Sequence, residues 1–236
     1  MKKKTKSDPF VSCIVAAGGK GSRMGADVNK IFLEYGDMPV LAHTLLALNN
    51  CSAIHEIILV TAENDLPGCM DIANEFSISK VKTITIGGAT RQDSVRNGLK
   101  EVSFGADIVL IHDAARSLVT DAVICDVIQG VIEFGAAATG VPCKNTLKFA
   151  NEQGLITGTP DRSTLYEIQT PQGFRRDLIV QAHEAAVKSD LVATDDCFLV
   201  ESLGASVKIT QGDYRNIKIT TPEDLLLAEQ FSALPR

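Results

Sequence analysis

The 236-residue sequence contains no Trp and no hydrophobic run that approaches the roughly 18 apolar residues needed to cross a bilayer. Its six cysteines are far apart and form no CxxC pair, and its four histidines show no HxxxH spacing. It also lacks a GxSxG elbow and an obvious pairing of a Cys with a His. The sequence therefore gives no support for a membrane span, a structural zinc site or a covalent nucleophile.

Positive charge is scarce outside the first six residues. The chain has 23 Lys and Arg against 29 Asp and Glu, and four of the Lys lie among residues 1–6. The rest of the chain has 19 cations against the same 29 acids, a formal charge of −10. Such a body argues against nucleic-acid or anionic-membrane partners, which need a basic face. We expect residues 1–9 to be a disordered basic leader and the protein to be cytoplasmic.

Short β-branched segments alternate with amphipathic ones from Phe10 onward. This alternation is typical of a mostly parallel sheet flanked by helices, so we predict an α/β, Rossmann-like fold with residues 10–236 in one domain. The predicted strands are 11–15, 56–61, 81–86, 108–111, 136–141 and 206–210. The predicted helices are 40–49, 91–102, 121–134, 177–188, 195–203 and a last one that begins at Thr221.

The alternation breaks over about residues 143–172, where Gly and Pro separate two short extended segments. This pattern predicts a hairpin arm that projects from the sheet. Because a solitary hairpin is marginally stable in water, we expect the arm to pack on a second copy of the chain.

A Gly-rich segment follows the first predicted strand. Residues 16–25 have the sequence AAGGKGSRMG, with Arg23 inside the segment and Lys30 seven residues later. Gly-rich backbone after a strand lets N–H groups approach phosphate, and nearby cations suit a polyphosphate. The Lys is not followed by Ser or Thr as in a Walker A loop, and Met24 breaks the GxGxxG pattern. The segment therefore predicts a polyphosphate site of another kind.

A carboxylate follows the apolar strand predicted at 108–111, in the sequence HDAAR. Ligands of open α/β sheets bind at the carboxyl edge, where Asp113 could hold a divalent cation beside phosphates. Asp113 could instead cap the next turn and pair with Arg116, and both interpretations stay open. We interpret His112 as a hydrogen-bonded structural residue.

Several segments, taken in order, resemble one enzyme family. They are AAGGKGSRMG with NKIFL, GGATRQDSVRNGL, IHDAAR, NTLK, TPDRSTLYEIQTPQGF, ATDD and NIKITTPEDLLLAE. Over about residues 11–231 the chain is similar to the 2-C-methyl-D-erythritol 4-phosphate cytidylyltransferases. The resemblance implies synthesis of CDP-methylerythritol and pyrophosphate from CTP and the sugar-alcohol phosphate. It also implies Mg²⁺ or another divalent cation, and a homodimer whose arms exchange contacts.

The resemblance further implies roles for individual residues. The catalytic cations would be Arg23, Lys30 and Lys218. The nucleotide would be bound by Ala17, Gly18, Gly19, Gly21, Gly88, Ala89 and Ser94. The sugar-alcohol phosphate would be bound by Asp113, Arg116, Thr146, Arg162 and Thr170. Asp113 would also contact the metal, which the CTP phosphates would mainly hold, and the two arm residues, Thr146 and Arg162, would serve the neighbouring subunit.

Three positions depart from the family pattern. Ser117 stands where Pro is usual, so the chain after Arg116 is expected to be looser. Ile31 replaces a common Gln and Ala89 replaces a frequent acid, which puts side-chain contacts at those two positions in doubt.

Three alternative functions stay open at this point. A ribitol 5-phosphate cytidylyltransferase has a closely similar loop and arm. A dinucleotide-dependent oxidoreductase conflicts with the failed GxGxxG pattern. A nucleotide-binding regulator without catalysis would not need the complete set of cations that the sequence contains.

Overall fold

A computed structural model describes residues 8–19 and 29–234. Most of the predicted leader, together with Gly21 and Arg23, lies outside the described residues. The strands are β1 (Val11–Ala16), β2 (Glu34–Tyr35), β3 (Met38–Pro39), β4 (Glu56–Thr61), β5 (Val81–Ile86), β6 (Ile108–Asp113), β7 (Ala136–Pro142), β8 (Phe149–Ala150), β9 (Ile156–Gly158), β10 (Tyr166–Arg175) and β11 (Lys208–Gln211).

The α-helices are α1 (Val40–Asn50), α2 (Leu66–Glu75), α3 (Arg91–Glu101), α4 (Asp121–Phe134), α5 (Arg176–Lys188), α6 (Asp196–Ser202) and α7 (Pro222–Ser232). Short 3₁₀ helices occur at Lys30–Phe32, Glu63–Asp65 and Arg162–Thr164. Within the two described ranges, no helix is both long and apolar enough to cross a membrane.

A seven-stranded sheet organises the molecule, in the order β11-β7-β10-β6-β1-β4-β5. All neighbours pair in parallel except β10, which is antiparallel to both β6 and β7. Helices α1, α2 and α4 cover one face, and α3, α5 and α6 cover the other. The predicted mostly parallel, Rossmann-like sheet is therefore confirmed.

The central strands are apolar because both of their faces are covered. In β1, Cys13 and Val15 pack in the cluster beneath α1, α2 and α4, whereas Ile14 packs in the cluster beneath α3, α5 and α6. Strands buried on both faces have continuous apolar sequences rather than alternating ones. The polar residues that follow these strands are thereby confined to the carboxyl edge of the sheet.

Helices α3 and α7 both begin with a capping box. The Thr90 side chain accepts from the backbone N–H of Asp93 at the start of α3, and Thr221 accepts from Asp224 at the start of α7. In both helices the Asp carboxylate in turn accepts from the backbone N–H of the cap residue, so two free backbone donors are satisfied. The predicted start of the last helix at Thr221 is confirmed.

Residues 143–165 lie outside the seven-stranded sheet. Within them β8 pairs antiparallel with β9, and Nη1 of Arg162 donates to the carbonyl of Lys144 at 2.9 Å. From Tyr166 onward the chain pairs with β7, where Tyr166 stands opposite Pro142. The C-terminal boundary of the arm, predicted near residue 172, is therefore corrected to 165, because β10 is a strand of the main sheet.

Candidate active site

The carboxyl ends of β1, β4, β5 and β6 meet at one edge, and backbone hydrogen bonds join the segments that leave them. The N–H of Ala17 donates to Val60 at 2.7 Å, and the N–H of Ala114 donates to Ala16 at 3.1 Å. Gly87 similarly donates to Thr61 at 2.8 Å. The Gly-rich segments after β1 and β5 and the polar turn after β6 therefore adjoin one another.

The predicted nucleotide-binding residues of this edge surround the Ser94 hydroxyl. Ser94 Oγ donates to Thr90 O at 2.9 Å and accepts from the N–H of Gly88 at 3.1 Å. A Cβ atom on Gly88 would lie 2.3 Å from Cβ of Asp93, so only Gly fits there, and one on Gly18 would lie 3.9 Å from Ser94 Oγ. Gly88 is thus required by its close approach to Asp93 on α3, whereas the distance at Gly18 is an ordinary van der Waals contact.

Two further predicted nucleotide-binding residues flank this group. Ala89 is exposed in the segment between β5 and α3. Gly19 is exposed after β1, and no heavy atom of the described residues lies within 4 Å of a Cβ built there.

Asp113, at the end of β6, is the centre of a cluster of cations. Its Oδ2 lies 2.7 Å from Nζ of Lys218 and 3.9 Å from Nε of Arg116, and its Oδ1 lies 3.3 Å from Nε of Arg91. Burial disfavours the ionised carboxyl, but Arg91, Lys218 and Arg116 hold the pKa of Asp113 well below its ordinary value. Three cations around one carboxylate leave an excess of positive charge, which suits a polyphosphate.

The segment that carries Lys218 is fastened to the turn after β6. The N–H of Ile219 donates to Ala115 O at 2.9 Å, and Nη1 of Arg116 donates to Asn216 O at 2.7 Å. Residues separated by about half of the chain thus form one site. The structure brings Asp113, Arg116 and Lys218 together as the resemblance implied.

Thr170 and His112 support Asp113 from behind. The N–H of Asp113 donates to Thr170 Oγ1 at 3.0 Å, Thr170 Oγ1 lies 3.1 Å from Nδ1 of His112, and Nε2 of His112 lies 3.1 Å from Arg116 O. Because the Arg116 carbonyl can only accept, Nε2 carries the imidazole hydrogen and Nδ1 accepts from the Thr170 hydroxyl. This chain of hydrogen bonds uses neutral His112, in accord with the structural role expected for that residue.

We predict that protonation of His112 in the unfolded state makes stability fall in mild acid. Burial lowers the pKa of His112 from 6.5 to about 4 in the folded protein. Below pH 6.5 His112 is protonated in the unfolded chain, but in the folded protein it stays neutral until about pH 4. The stability that neutral His112 contributes is therefore fully present above pH 6.5 and is lost as the pH falls towards 4. Urea unfolding of the metal-free protein should lose about 2 kcal/mol between pH 7 and pH 5 through this group.

His112→Gln keeps a donor and an acceptor but does not titrate. Its free energy of unfolding should fall less steeply over the same interval. An equally steep fall in the variant would contradict the assignment to His112.

Lys30 lies on a short 3₁₀ helix that Asn29 attaches to the end of β1. Nδ2 of Asn29 donates to Ala17 O at 3.3 Å and to Asp65 Oδ2 at 2.7 Å, while its Oδ1 accepts from the N–H of Ile31. Ile31 itself is 2% exposed within the core, which accounts for an apolar residue at this departure from the family pattern.

Ser117 is held more firmly than expected. Its Oγ accepts from the Tyr35 hydroxyl at 2.8 Å, and both side chains are buried. The prediction of a looser chain after Arg116 is therefore wrong, because a buried hydrogen bond joins this turn to β2.

The remaining predicted residues are not brought to this cluster. Thr146 is exposed on the arm, and Arg162 donates within the arm, to Lys144 O. Within residues 8–19 and 29–234, neither Thr146 nor Arg162 forms a hydrogen bond or an ion pair with Asp113. Their predicted use by a neighbouring subunit is taken up below.

The side chains at this site suit a metal ion that is bound mainly by the phosphates of the substrate. Over the described ranges, no group of three or more His, Cys, Asp or Glu side chains could hold an ion by itself. Mg²⁺ commonly binds through one or two carboxylates and the phosphates of a substrate. The single carboxylate of Asp113, kept ionised at the edge of the sheet, suits that arrangement.

Comparison with known proteins decides the family. A profile of the 2-C-methyl-D-erythritol 4-phosphate cytidylyltransferase (IspD) family matches residues 11–233. The chain belongs to this family. Cytidylyltransferases of this name from Clostridium botulinum (strain ATCC 19397 / Type A) and Caldanaerobacter subterraneus are 46% identical over 220 residues and 44% identical over 222 residues. These alignments cover 93% and 94% of this chain, and 96% and 98% of the relatives.

Solved structures agree with this membership of the cytidylyltransferase family. The 4-diphosphocytidyl-2C-methyl-D-erythritol synthase of Anaerococcus prevotii superimposes with a TM-score of 0.85 at 31% identity, covering 97% of this chain and all 100% of its own. The Thermus thermophilus cytidylyltransferase gives a TM-score of 0.77 at 29% identity, covering 94% and 98%. The family and fold class expected from the motifs are therefore confirmed. Neither the ribitol phosphate nor the oxidoreductase alternative finds support among these relatives.

Proposed function

We propose that this protein transfers the cytidylyl group of CTP to the phosphate of 2-C-methyl-D-erythritol 4-phosphate and releases pyrophosphate. Membership of the family supports the reaction, and the Asp113 cluster supports its location. The observation that carries the location is the convergence of three cations on one ionised carboxylate beside a Gly-lined sheet edge. Anionic ligands of open α/β sheets bind at such edges.

The nucleotide would lie along the backbone that follows β1 and β5. In this arrangement Gly18, Gly88 and Ser94 surround the cytosine and ribose, and Ala17, Gly19 and Ala89 border them. Gly21 and Arg23, outside the described residues, would complete the loop near the triphosphate.

The reaction requires one bond to form and one to break at the α-phosphorus. A phosphate oxygen of methylerythritol phosphate attacks that atom in line while the bond to the β-phosphate oxygen breaks and pyrophosphate leaves. Lys218, Lys30 and Arg23 would neutralise charge on the α-phosphate and the leaving group. Arg116 would orient the attacking phosphate, and Asp113 would lie at the sugar-alcohol and metal region. Thr170 would position Asp113 by accepting the hydrogen bond from its N–H.

We propose Mg²⁺ as the divalent cation. Nucleotidyltransferases generally use such ions, and Asp113 is the carboxylate that would contact it. When bound, the ion would neutralise charge on the triphosphate. The protein's own contribution is to keep Asp113 ionised and fixed, which Lys218, Arg91 and the Thr170 hydroxyl do.

The stereochemistry at phosphorus tests the proposed transfer. With a single diastereomer of CTP that carries sulfur on the α-phosphorus, in-line attack should give a product of inverted configuration, seen by ³¹P NMR. Retention would require two successive displacements and hence a nucleophile on the protein. It would contradict direct attack by the substrate phosphate.

We propose that the arm forms a homodimer in which it completes the neighbour's site. Several apolar side chains of the arm are exposed in the isolated chain, namely Leu147, Phe149, Leu155 and Ile156. A two-stranded hairpin with such side chains in water needs a packing partner. A second copy would cover them and bring Thr146 and Arg162 toward the sugar-alcohol phosphate.

A subunit-mixing experiment tests the shared site. Arg162→Ala and Lys30→Ala subunits should each be nearly inactive alone, because every site in either dimer lacks one residue. After exchange, about half of the dimers are hybrids with one intact site, so activity should recover to about a quarter of that of the unmodified protein. Verified exchange without recovery would contradict a site built from two subunits.

We also propose a cytoplasmic location without a nucleic-acid or membrane partner. The six cysteines are free, and Cys13, Cys51, Cys69 and Cys197 are buried. Free cysteines suit a reducing compartment. The acidic body argues against binding to polyanions and anionic membranes.

A further inference from the structure

Arg91, the first residue of α3, bridges two carboxylates from distant parts of the chain. Its Nε lies 3.3 Å from Oδ1 of Asp113, and its Nη1 lies 2.6 Å from Oδ2 of Asp196. Burial would lower the pKa of Arg91, but Asp196 and Asp113 raise that pKa above its ordinary value. The guanidinium is therefore a fixed cation between the Asp113 cluster and α6.

Asp196 is itself held on three sides. It is buried, with a side chain 1% exposed, at the first position of α6. Nε2 of His183, on α5, donates to Oδ1 of Asp196 at 3.2 Å, and the N–H of Asp196 donates to Oε1 of Gln172, on β10, at 3.2 Å. A carboxylate so restrained fixes the position of the guanidinium that it binds.

The two oxygens of Asp113 are divided between two cations. Arg91 contacts Oδ1, whereas Lys218 contacts Oδ2 at 2.7 Å. A guanidinium with several donors would move further onto Asp113 if its other anionic partner were removed. Lys218 would then lose part of the contact that restrains its ammonium group.

We propose that Asp196 is a positioning residue for cytidylyl transfer. Its carboxylate keeps the Arg91 guanidinium near Oδ1 of Asp113. Oδ2 of Asp113 then remains in contact with the Lys218 ammonium group and restrains it. This role rests on the proposed function, in which Lys218 acts on the α-phosphate. Asp196 contacts neither substrate nor reacting atoms and acts through Arg91 and Asp113.

The first test compares two carboxylates of α6. Asp196→Asn should lower kcat by about 10- to 100-fold, because a displacement of about 1 Å at a catalytic group has effects of this size. Glu201→Gln is the matched control, since Glu201 is an exposed carboxylate on the same helix. Substitutions of exposed side chains usually have small effects, so kcat of this control should stay within about 3-fold of the unmodified value. Equal kcat values for the two variants would overturn the proposal.

The second test repeats Asp196→Asn in a Lys218→Ala background. If Asp196 acts by positioning Lys218, its substitution there should lower kcat by less than about 3-fold. A merely structural role would reduce kcat by the same factor in both backgrounds, and that result would overturn the proposal. Circular dichroism and urea unfolding establish the folded fraction of every variant.

Should Asp196→Asn be unfolded under assay conditions, Arg91→Lys replaces it in both tests. A single ammonium group keeps the charge but cannot bridge the two carboxylates as a guanidinium does, so about a tenfold loss of kcat is expected. An unchanged kcat in folded Arg91→Lys would overturn the proposal.

The unmodified protein separates this proposal from the proposed function. If it released no pyrophosphate, the proposed function itself would be contradicted. Normal release with unaffected variants would overturn only the role of Asp196.

Discussion

Lys218→Ala is expected to lower kcat by about 10²- to 10³-fold, equivalent to about 3 to 4 kcal/mol of transition-state stabilisation. The Lys218 ammonium group is restrained at 2.7 Å from Asp113, yet its side chain is 39% exposed. A charge held in place before the reaction needs no reorganisation when charge builds on the α-phosphate. Its removal should therefore affect turnover more than the binding of CTP.

The fold should survive this substitution. Asp113 keeps Arg91 and Arg116 as charged neighbours, so no buried carboxylate is left without a cation. Lys208→Ala, on β11, removes another partly exposed lysine and should leave kcat unchanged. The measurement is steady-state pyrophosphate release at saturating CTP, with circular dichroism for the folded state. Near-normal turnover in Lys218→Ala would remove this residue from the mechanism.

Lys30→Ala is expected to cause a loss of similar size, about 10²- to 10³-fold in kcat. The proposed role of Lys30 is to neutralise charge on the triphosphate. Its 3₁₀ helix is fastened to the chain at the end of β1, because Asn29 donates to both Ala17 O and Asp65 Oδ2. The lysine therefore extends from a fixed backbone rather than from a free loop.

A lysine outside the site provides the comparison for Lys30. Lys100, near the end of α3, is exposed and bonds Asn97 within the same helix. Lys100→Ala should retain normal kcat, whereas Lys30→Ala should not, with both variants folded by circular dichroism. Equal kcat values for the two variants would contradict a catalytic role for Lys30.

The parallel strands could be predicted because burial on both faces leaves a continuous apolar sequence, as in β4 and β6. Helix α2 is not among the predicted elements, and Pro67 and Gly68 interrupt the helical pattern there. Pro is favourable in a first helical turn, and a Cβ on Gly68 would lie 3.0 Å from the Phe32 ring. That glycine reflects a tertiary contact, which periodicity does not reveal.

Part of β10 falls within the predicted arm, because Pro171 is unfavourable in a central strand. In the structure the Pro171 carbonyl accepts from Thr139 Oγ1, on the neighbouring β7, at 2.9 Å. At Gly173 a Cβ would lie 2.7 Å from Cγ1 of Val127 on α4, so helix packing requires this glycine.

The candidate site could likewise be predicted only in part. Asp113 could be placed at the sheet edge from the strand that precedes it, and the meeting of Arg116 with Lys218 followed only from the family resemblance. Arg91 and Asp196 were not predicted, because they are 105 positions apart and meet only after α3 and α6 have packed. The signal available in the sequence is an Arg at the predicted start of a helix, three residues after the pair Gly87 and Gly88.

Pyrophosphate release from CTP in the presence of single polyol phosphates tests the proposed reaction most directly. With a divalent cation, we predict that kcat/KM for 2-C-methyl-D-erythritol 4-phosphate exceeds that for ribitol 5-phosphate by at least about tenfold. Ribitol lacks the methyl branch and has one more chain carbon and one more hydroxyl group, and even a single methylene difference in a pocket changes kcat/KM by about tenfold or more. Release should require CTP and the polyol phosphate together. An equal or higher kcat/KM for ribitol 5-phosphate would contradict the proposed substrate.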